Sequence, residues 1–283
     1  MKRRDLLALA AGMTVSATLG RGMSNALAAP PRVALVLGGG GCRAHSHIGV
    51  LRVLEKHGLK PDLVVGTSAG SLVGGLYAAG VTADQLERYG QQLESRRLRD
   101  WVFPDLGLFG GDAIRRFVVE RVGSLKIEGL PMRFAAVATD LKSGALEVLD
   151  RGDLGLAVQA SSSIPGLIEP VRIGNRLFVD GSLAAPVPVG AARRLGAEHV
   201  IAVDVSFPPE QAGLEGPFDA LYQAFSILTR RLALEERATA DLVIAPRVPE
   251  HNDMKPETLK ALVASGERAA LEALPKLQAL LKL

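Results

Sequence analysis

Ser68 stands between Gly66 and Gly70 in the stretch "DLVVGTSAGSLVGGLYAAG", where a short apolar run gives way to a helical pattern. A serine on a strand-to-helix turn, flanked by small residues, is the arrangement of a nucleophile elbow. The turn forces a tight, strained backbone onto the serine, so bulky neighbours are excluded. The helix that follows points its partial positive charge at the hydroxyl, which favours a developing alkoxide or oxyanion. The chemistry this suits is acyl transfer. A second loop, Gly38-Gly39-Gly40-Gly41, supplies the complement. Consecutive glycines let several backbone N–H groups turn toward one point, and a well-placed donor to an oxyanion is worth about 2.7–4 kcal/mol.

A nucleophile also needs a base. Of the five histidines, His199 and His251 are the late candidates, and neither falls in a strand-end loop. His45, His47 and His57 lie in or beside the helix after the glycine loop. All five read as surface or helix-cap residues. Asp140, Asp180 and Asp204 each sit in or at the end of an apolar strand, where an unpaired charge is costly. Spacing alone leaves all three open as the base.

The glycine loop admits a competing reading, because Gly39-x-Gly41-x-x-Ala44 fits a relaxed dinucleotide fingerprint. That site needs an acidic residue at the end of the second strand to hold the ribose. The second strand here ends in Val64-Val65-Gly66.

The elements that must position these residues are read from periodicity and punctuation. Val33–Leu37 is an expected buried strand, followed by a helix over 44–57 that Gly58 closes and Pro61 keeps closed. Residues 62–65 form a second strand, so the unit is βαβ with parallel strands and a right-handed crossover. A helix is expected over 69–80, and Thr82-x-x-Gln85 is a capping box for the next. Residues 96–111 are irregular, with Trp101, Phe103 and Phe109. Asp112 is the expected cap of a helix reaching Val122. "MRFAAVATD" and "GALEVLD" read as strands around a turn at 142–144, and Gly174-Asn175 marks a hairpin. "HVIAVDV" and "DLVIAP" are further strands, separated by a long helix near 214–240, and a last amphipathic helix starts near Pro256.

Composition sets the frame. The chain has 283 residues, 48% hydrophobic and 22% charged, with only 4% aromatics. This suits one α/β domain with an aliphatic core. Residues 1–29 have a basic start, an apolar middle and an Ala26-Leu27-Ala28 end, the layout of an export signal. Arg3-Arg4 resembles a twin-arginine signal, without the usual flanking Ser or Thr and Phe. The expectation is an exported, periplasmic or membrane-associated bacterial protein whose domain spans 30–283. The signal segment carries a net charge of +3, the whole formal excess of the chain. The remainder is neutral, which argues against nucleic-acid binding. With Cys42 the only cysteine and no His-Glu-x-x-His pattern, neither a disulfide nor a metal site is expected. No cofactor is expected. Oligomeric state is not readable.

Four segments together resemble the patatin-like phospholipase family, especially its smaller bacterial members, over most of the chain from about Pro31 to Val205. "GGGGCRAHSHIGVL" resembles its oxyanion-hole loop, "GTSAG" its nucleophile motif, "ASSSIPGLIEPV" the segment before the acid, and "FVDGSLAAPVPV" its Asp-Gly-Gly motif. The resemblance implies a three-layer α/β fold with a mostly parallel central sheet and helices on both faces. It implies a Ser68–Asp180 dyad without histidine, an oxyanion loop of Gly39, Gly40 and Gly41 steadied by Arg43, and a lipid acyl ester as substrate. It also admits transient contact with a membrane surface. Three positions depart from the family pattern: Ala44 replaces a glycine, Ser182 replaces the second glycine of Asp-Gly-Gly, and Ala185 stands where asparagine is usual. They motivate an alternative, a lipid- or acyl-binding protein of the same fold with little turnover.

Overall fold

The computed structural model describes residues 32–92, 106–206, 216–247 and 254–281. The signal-like segment, Trp101, Phe103 and His251 lie outside the described residues. The first βαβ unit forms as its pattern dictates: β1 (Val33–Leu37), a 3₁₀ turn (Gly41–Ala44), α1 (His45–Lys56) and β2 (Leu63–Thr67), with β1 and β2 parallel. α2 (Ala69–Ala78) leaves β2 through Ser68 alone. α3 (Ala83–Gln92) starts at the expected capping box, in which the Thr82 N–H donates to Gln85 Oε1 at 2.9 Å.

Further along come β3 (Gly107–Phe109), α4 (Asp112–Val122), β4 (Arg133–Asp140), β5 (Leu146–Leu149), α5 (Leu154–Ser161), β6 (Gly166–Ile168), β7 (Val171–Ile173) and β8 (Arg176–Asp180). The chain continues as α6 (Val189–Arg194), β9 (His199–Val203), α7 (Pro217–Arg237), β10 (Leu242–Ile244), α8 (Pro256–Glu272) and α9 (Leu274–Leu281). The main sheet runs β10-β9-β1-β2-β4-β8-β7, with β5 also on β4. The pairs from β10 to β4 are parallel, and those of β4 with β5 and β8, and of β7 with β8, are antiparallel. The expected mostly parallel α/β sheet is present.

Alternate residues of each central strand feed two cores. Val33, Leu35 and Leu37 of β1 pack with α1 to α5 and α8, while Ala34 and Val36 pack with α6 and Ala233 of α7. Both faces are covered, as the near-continuous apolar strands require. On the first face α1 and α8 touch backbone to backbone. A Cβ on Gly49 would lie 2.0 Å from Val263 O, and one on Gly266 would lie 1.9 Å from Ser46 O.

Three details differ from the sequence-based expectation. α5 was not expected; it is capped by Asp153, whose Oδ1 accepts the Leu156 N–H at 2.6 Å. β3 and β6 form a separate parallel pair of three residues each. Asp112 does not cap α4: Gly111 occupies the cap, and Asp112 accepts from Gln159 Nε2 at 3.2 Å instead.

Candidate active site

Strand register brings the serine and one of the three aspartates together. Ala136 and Val137 of β4 each pair with both β2 and β5, so these two strands flank β4 on opposite edges. Ala138 and Thr139 pair with both β5 and β8, so β8 shares its edge with β2. Thr67, the last residue of β2, lies opposite Val137, and Asp180, the last residue of β8, lies opposite Ala138. Two strands of opposite direction therefore end face to face, with Ser68 and Asp180 at the junction.

Ser68 Oγ donates to Asp180 Oδ2 at 2.6 Å, within the short range of hydrogen bonds to an ionised carboxylate. The other two aspartates are engaged elsewhere. Asp140 pairs with Arg176 at 2.7 Å and accepts from the turn at Lys142 and Ser143. Asp204 pairs with Arg237 at 2.7 Å and Arg230 at 3.1 Å. Among the described residues no histidine bonds to the pair: His45 reaches Cys42 O, His47 reaches Gly38 O, and His57 reaches Val53 O.

Ser68 is the only described non-glycine residue with a positive φ, at φ 53° and ψ −128°. Such a conformation costs on the order of 1–3 kcal/mol, and the neighbours hold it. The Ser68 N–H donates to Ser161 Oγ at 2.9 Å, and Ser161 Oγ donates onward to Val137 O at 2.6 Å. The Ser68 carbonyl accepts from Ser71 N at 2.8 Å and Ser71 Oγ at 2.7 Å. α2 fits so closely beneath β1 that a Cβ on Gly70 would lie 2.2 Å from Leu37 O.

Asp180 is 1% exposed and held from four directions. Its N–H donates to Ser163 O at 2.8 Å, its carbonyl accepts from Thr139 Oγ1 at 2.9 Å, and its Oδ1 accepts the Ser182 N–H at 2.8 Å. Ser68 occupies the remaining carboxylate oxygen. Burial pushes the Asp180 carboxyl above the ordinary aspartate value, while the hydrogen bonds from Ser68 and Ser182 pull it back down.

The glycine loop lies directly over this pair. A Cβ on Gly39 would sit 2.6 Å from Ser182 Oγ and 3.4 Å from Ser68 Cβ. Gly38 N–H donates to Val203 O at 3.0 Å and Gly39 N–H to Pro186 O at 2.9 Å, while Gly40 O accepts the Arg43 N–H at 3.1 Å. Among the described residues neither Gly40 nor Gly41 N–H donates to a backbone carbonyl outside the regular elements. Gly41 has a left-handed backbone, φ 57°, which only glycine adopts without cost. The Arg43 side chain is 1% exposed, and burial lowers its pKa against the opposing effects of Cys42 and Tyr222.

The three departing positions are all absorbed. Ala44 is buried in the 3₁₀ turn, Ser182 still presents its N–H to Asp180, and the Ala185 carbonyl accepts Thr67 Oγ1 at 2.8 Å. Ser161 escaped the sequence reading, and His45 and His47, read as surface or helix-cap residues, are instead buried in the helix that follows the glycine loop. For Ser161 the one signal was its place in "ASSSIPG", four residues before a proline. For His47 it was a short distance from the glycine loop, at the start of a helix otherwise apolar on that side.

The described residues contain no group of three or more His, Cys, Asp or Glu side chains placed to hold a metal ion. No helix among them is long and apolar enough to cross a membrane.

The chain has relatives among known proteins. The family model described as patatin-like phospholipase matches residues 35–193. An uncharacterised NTE family protein of Mycobacterium tuberculosis (strain ATCC 25618 / H37Rv) is 38% identical over 179 residues, 62% of this chain and 49% of that protein. Patatin-like phospholipase domain-containing protein 6 of Mus musculus is 37% identical over 186 residues, 63% of this chain and 14% of that protein. Lysophospholipase NTE1 of Debaryomyces hansenii is 35% identical over 179 residues, 61% of this chain and 12% of that protein. The match thus spans half or less of each relative. Among solved structures, VipD from Legionella pneumophila superposes with a TM-score of 0.55 at 14% identity, covering 86% of this chain and 66% of that one, a likeness of fold. The family model covers more than half of the chain and includes both glycine-bearing loops and the Asp180 turn, so the chain belongs to the patatin-like phospholipase family.

Proposed function

We propose that this protein is a serine acyl hydrolase that cleaves lipid acyl esters with a Ser68–Asp180 dyad. The observation that carries the reading is the 2.6 Å bond from the positive-φ serine to a carboxylate that is 1% exposed, beneath the glycine loop. Asp180 Oδ2 takes the Ser68 proton as Oγ attacks the ester carbonyl carbon. The oxyanion is held by loop N–H groups. Gly39 N–H already donates to Pro186 O, so the donors are Gly40 and Gly41, while Gly39 spaces the loop over Ser68 and the Arg43 N–H closes it. The tetrahedral species collapses, the leaving alcohol takes the proton from Asp180, and an acyl-Ser68 ester remains. Water then gives its proton to Asp180 and attacks the acyl carbonyl; the second tetrahedral species collapses, Ser68 Oγ takes the proton back from Asp180, and the fatty acid leaves. The steps draw on no metal ion, so chelators leave the rate unchanged.

The family and the relatives named lysophospholipase support a phospholipid or lysophospholipid substrate. Lipid access is supported by α7, which exposes Leu221, Ile227 and Leu228 and whose Tyr222 lies near enough to Asp180 and Arg43 to feel their charges. Transient membrane contact through this helix and export by the first 29 residues complete the proposal. Vesicle sedimentation with Leu221→Ser/Leu228→Ser and cell fractionation test these two parts.

The decisive experiment treats the purified protein with a fluorophosphonate and reads intact mass beside Ser68→Ala and Asp180→Asn. One adduct in wild type, absent in the first variant and strongly slowed in the second, is the expected result. A folded wild type that takes no adduct overturns the hydrolase reading and favours the lipid- or acyl-binding alternative.

A further inference from the structure

The peptide between Gly38 and Gly39 is the root from which the oxyanion donors project. In a run of four glycines such a peptide has little intrinsic preference for one orientation. It is nevertheless fixed at both of its polar ends. The N–H, on Gly39, donates to Pro186 O at 2.9 Å, and the C=O, on Gly38, meets His47 Nε2 at 2.8 Å. A carbonyl only accepts, so Nε2 carries the proton and donates, which leaves Nδ1 as the bare ring nitrogen. Nδ1 is buried with no hydrogen-bond partner.

A histidine kept merely for packing is a poor choice at this position. His47 is fully buried, and its unmatched Nδ1 carries a desolvation cost that an apolar side chain would not. Its one hydrogen bond ends on the glycine loop and nowhere else. α1 cannot slide to relax this bond, because Ser46, the residue before His47, lies with its carbonyl against Gly266 of α8. The imidazole is therefore a rigid post on a rigid helix.

We propose that His47 is a positioning residue for the oxyanion loop: its Nε2–H holds the Gly38 carbonyl away from Ser68, so that the next N–H groups, on Gly40 and Gly41, face the reacting carbonyl. The inference rests on the hydrolase reading above. His47 touches no reacting atom and moves no proton. Without it, the Gly38–Gly39 peptide keeps only its Pro186 contact and can rotate, and the donors that follow lose their aim.

Two substitutions of similar volume separate this role from packing. His47→Gln restores an N–H donor at about the reach of Nε2, and His47→Met fills the space without one. With a soluble chromogenic short-chain ester, His47→Met should lower kcat by about 10- to 100-fold with little change in KM, part of the 10²–10³ that a whole lost oxyanion donor costs. His47→Gln should recover most of it. Fluorophosphonate labelling rates should follow kcat, melting temperatures should not rank the two variants in the same order, and nitrogen NMR of the wild-type ring should show the Nε2–H tautomer. Equal rates for the two variants, or losses that simply track melting temperature, overturn the positioning role while leaving the dyad intact. A wild type that never labels removes the hydrolase reading first, and the role with it.

Discussion

Under the proposed mechanism Asp180 serves two opposed requirements. As a base it must be ionised, yet it is buried at 1% exposure, which pushes its pKa above the ordinary value of 3.8. The hydrogen bonds from Ser68 and Ser182 limit that rise. Two outcomes are expected at this scale. The acid limb of kcat/KM against pH should fall above 3.8, with activity rising as pH rises, because only the ionised carboxylate accepts the Ser68 proton. Asp180→Asn should lower kcat by roughly 10²–10⁴ and should also raise the melting temperature at neutral pH. The sign follows from linkage. A carboxyl whose folded pKa is raised adds stability below its unfolded pKa and loses it as pH rises through the folded one. At neutral pH the buried charge is thus a liability that the amide removes. Calorimetry of the two proteins at neutral pH checks the second outcome, and a variant less stable than wild type counts against it.

At the scale of elements, the site depends on contacts that hold loops at fixed places. Ser161 belongs to α5 yet supports the elbow of α2, accepting the Ser68 N–H at 2.9 Å. Ser161→Ala leaves that N–H without its acceptor, an expected loss of about 1–3 kcal/mol in denaturant unfolding together with slower fluorophosphonate labelling. The crossing of α1 and α8 is tighter still. Gly49→Ala would place a methyl 2.0 Å from Val263 O, and overpacking of this kind costs about 1–3 kcal/mol or more. Gly129→Ala, with nothing within 4 Å of the new methyl, should change stability by less than about 0.5 kcal/mol. These contacts also explain what the sequence revealed. The elbow, the glycine loop and the first βαβ unit were legible because their signals are local: apolar runs, glycines and a capping box within a few residues. α5 was not, since Gly152, Gly155 and a run of serines read as loop while its cap, Asp153, is a residue equally common in turns. β3 and β6 are three residues each and exist through their pairing, which no local pattern encodes. The choice of Asp180 over Asp140 and Asp204 came from family resemblance alone, because it depends on two strands meeting along one edge of β4, 112 residues apart in sequence.

For the molecule as a whole, the buried histidine beneath the glycine loop should contribute to its loss of stability in acid, alongside His45, whose pKa burial also lowers. Burial lowers His47 from 6.5 to about 4, with His45 acting in the same direction and Asp204 and the Gly38 carbonyl opposing. A histidine whose folded pKa is depressed adds stability above its unfolded value and loses it as pH falls through the folded one, because the unfolded chain binds the proton first. The window therefore runs from 6.5 down to about 4, and the shift corresponds to roughly 3 kcal/mol. Asp180 acts the other way, gaining stability as pH falls toward 3.8. The two groups are shifted in opposite directions, so their variants should change the pH profile in opposite senses. Urea unfolding between pH 7 and pH 4 should show wild type losing stability toward acid, His47→Gln losing less, and Asp180→Asn losing more. A His47→Gln profile parallel to that of wild type would mean that the imidazole binds a proton equally well in the native and unfolded states. Burial of the ring beneath the loop would then fail as the cause of the acid response, since it would not be holding the imidazole neutral.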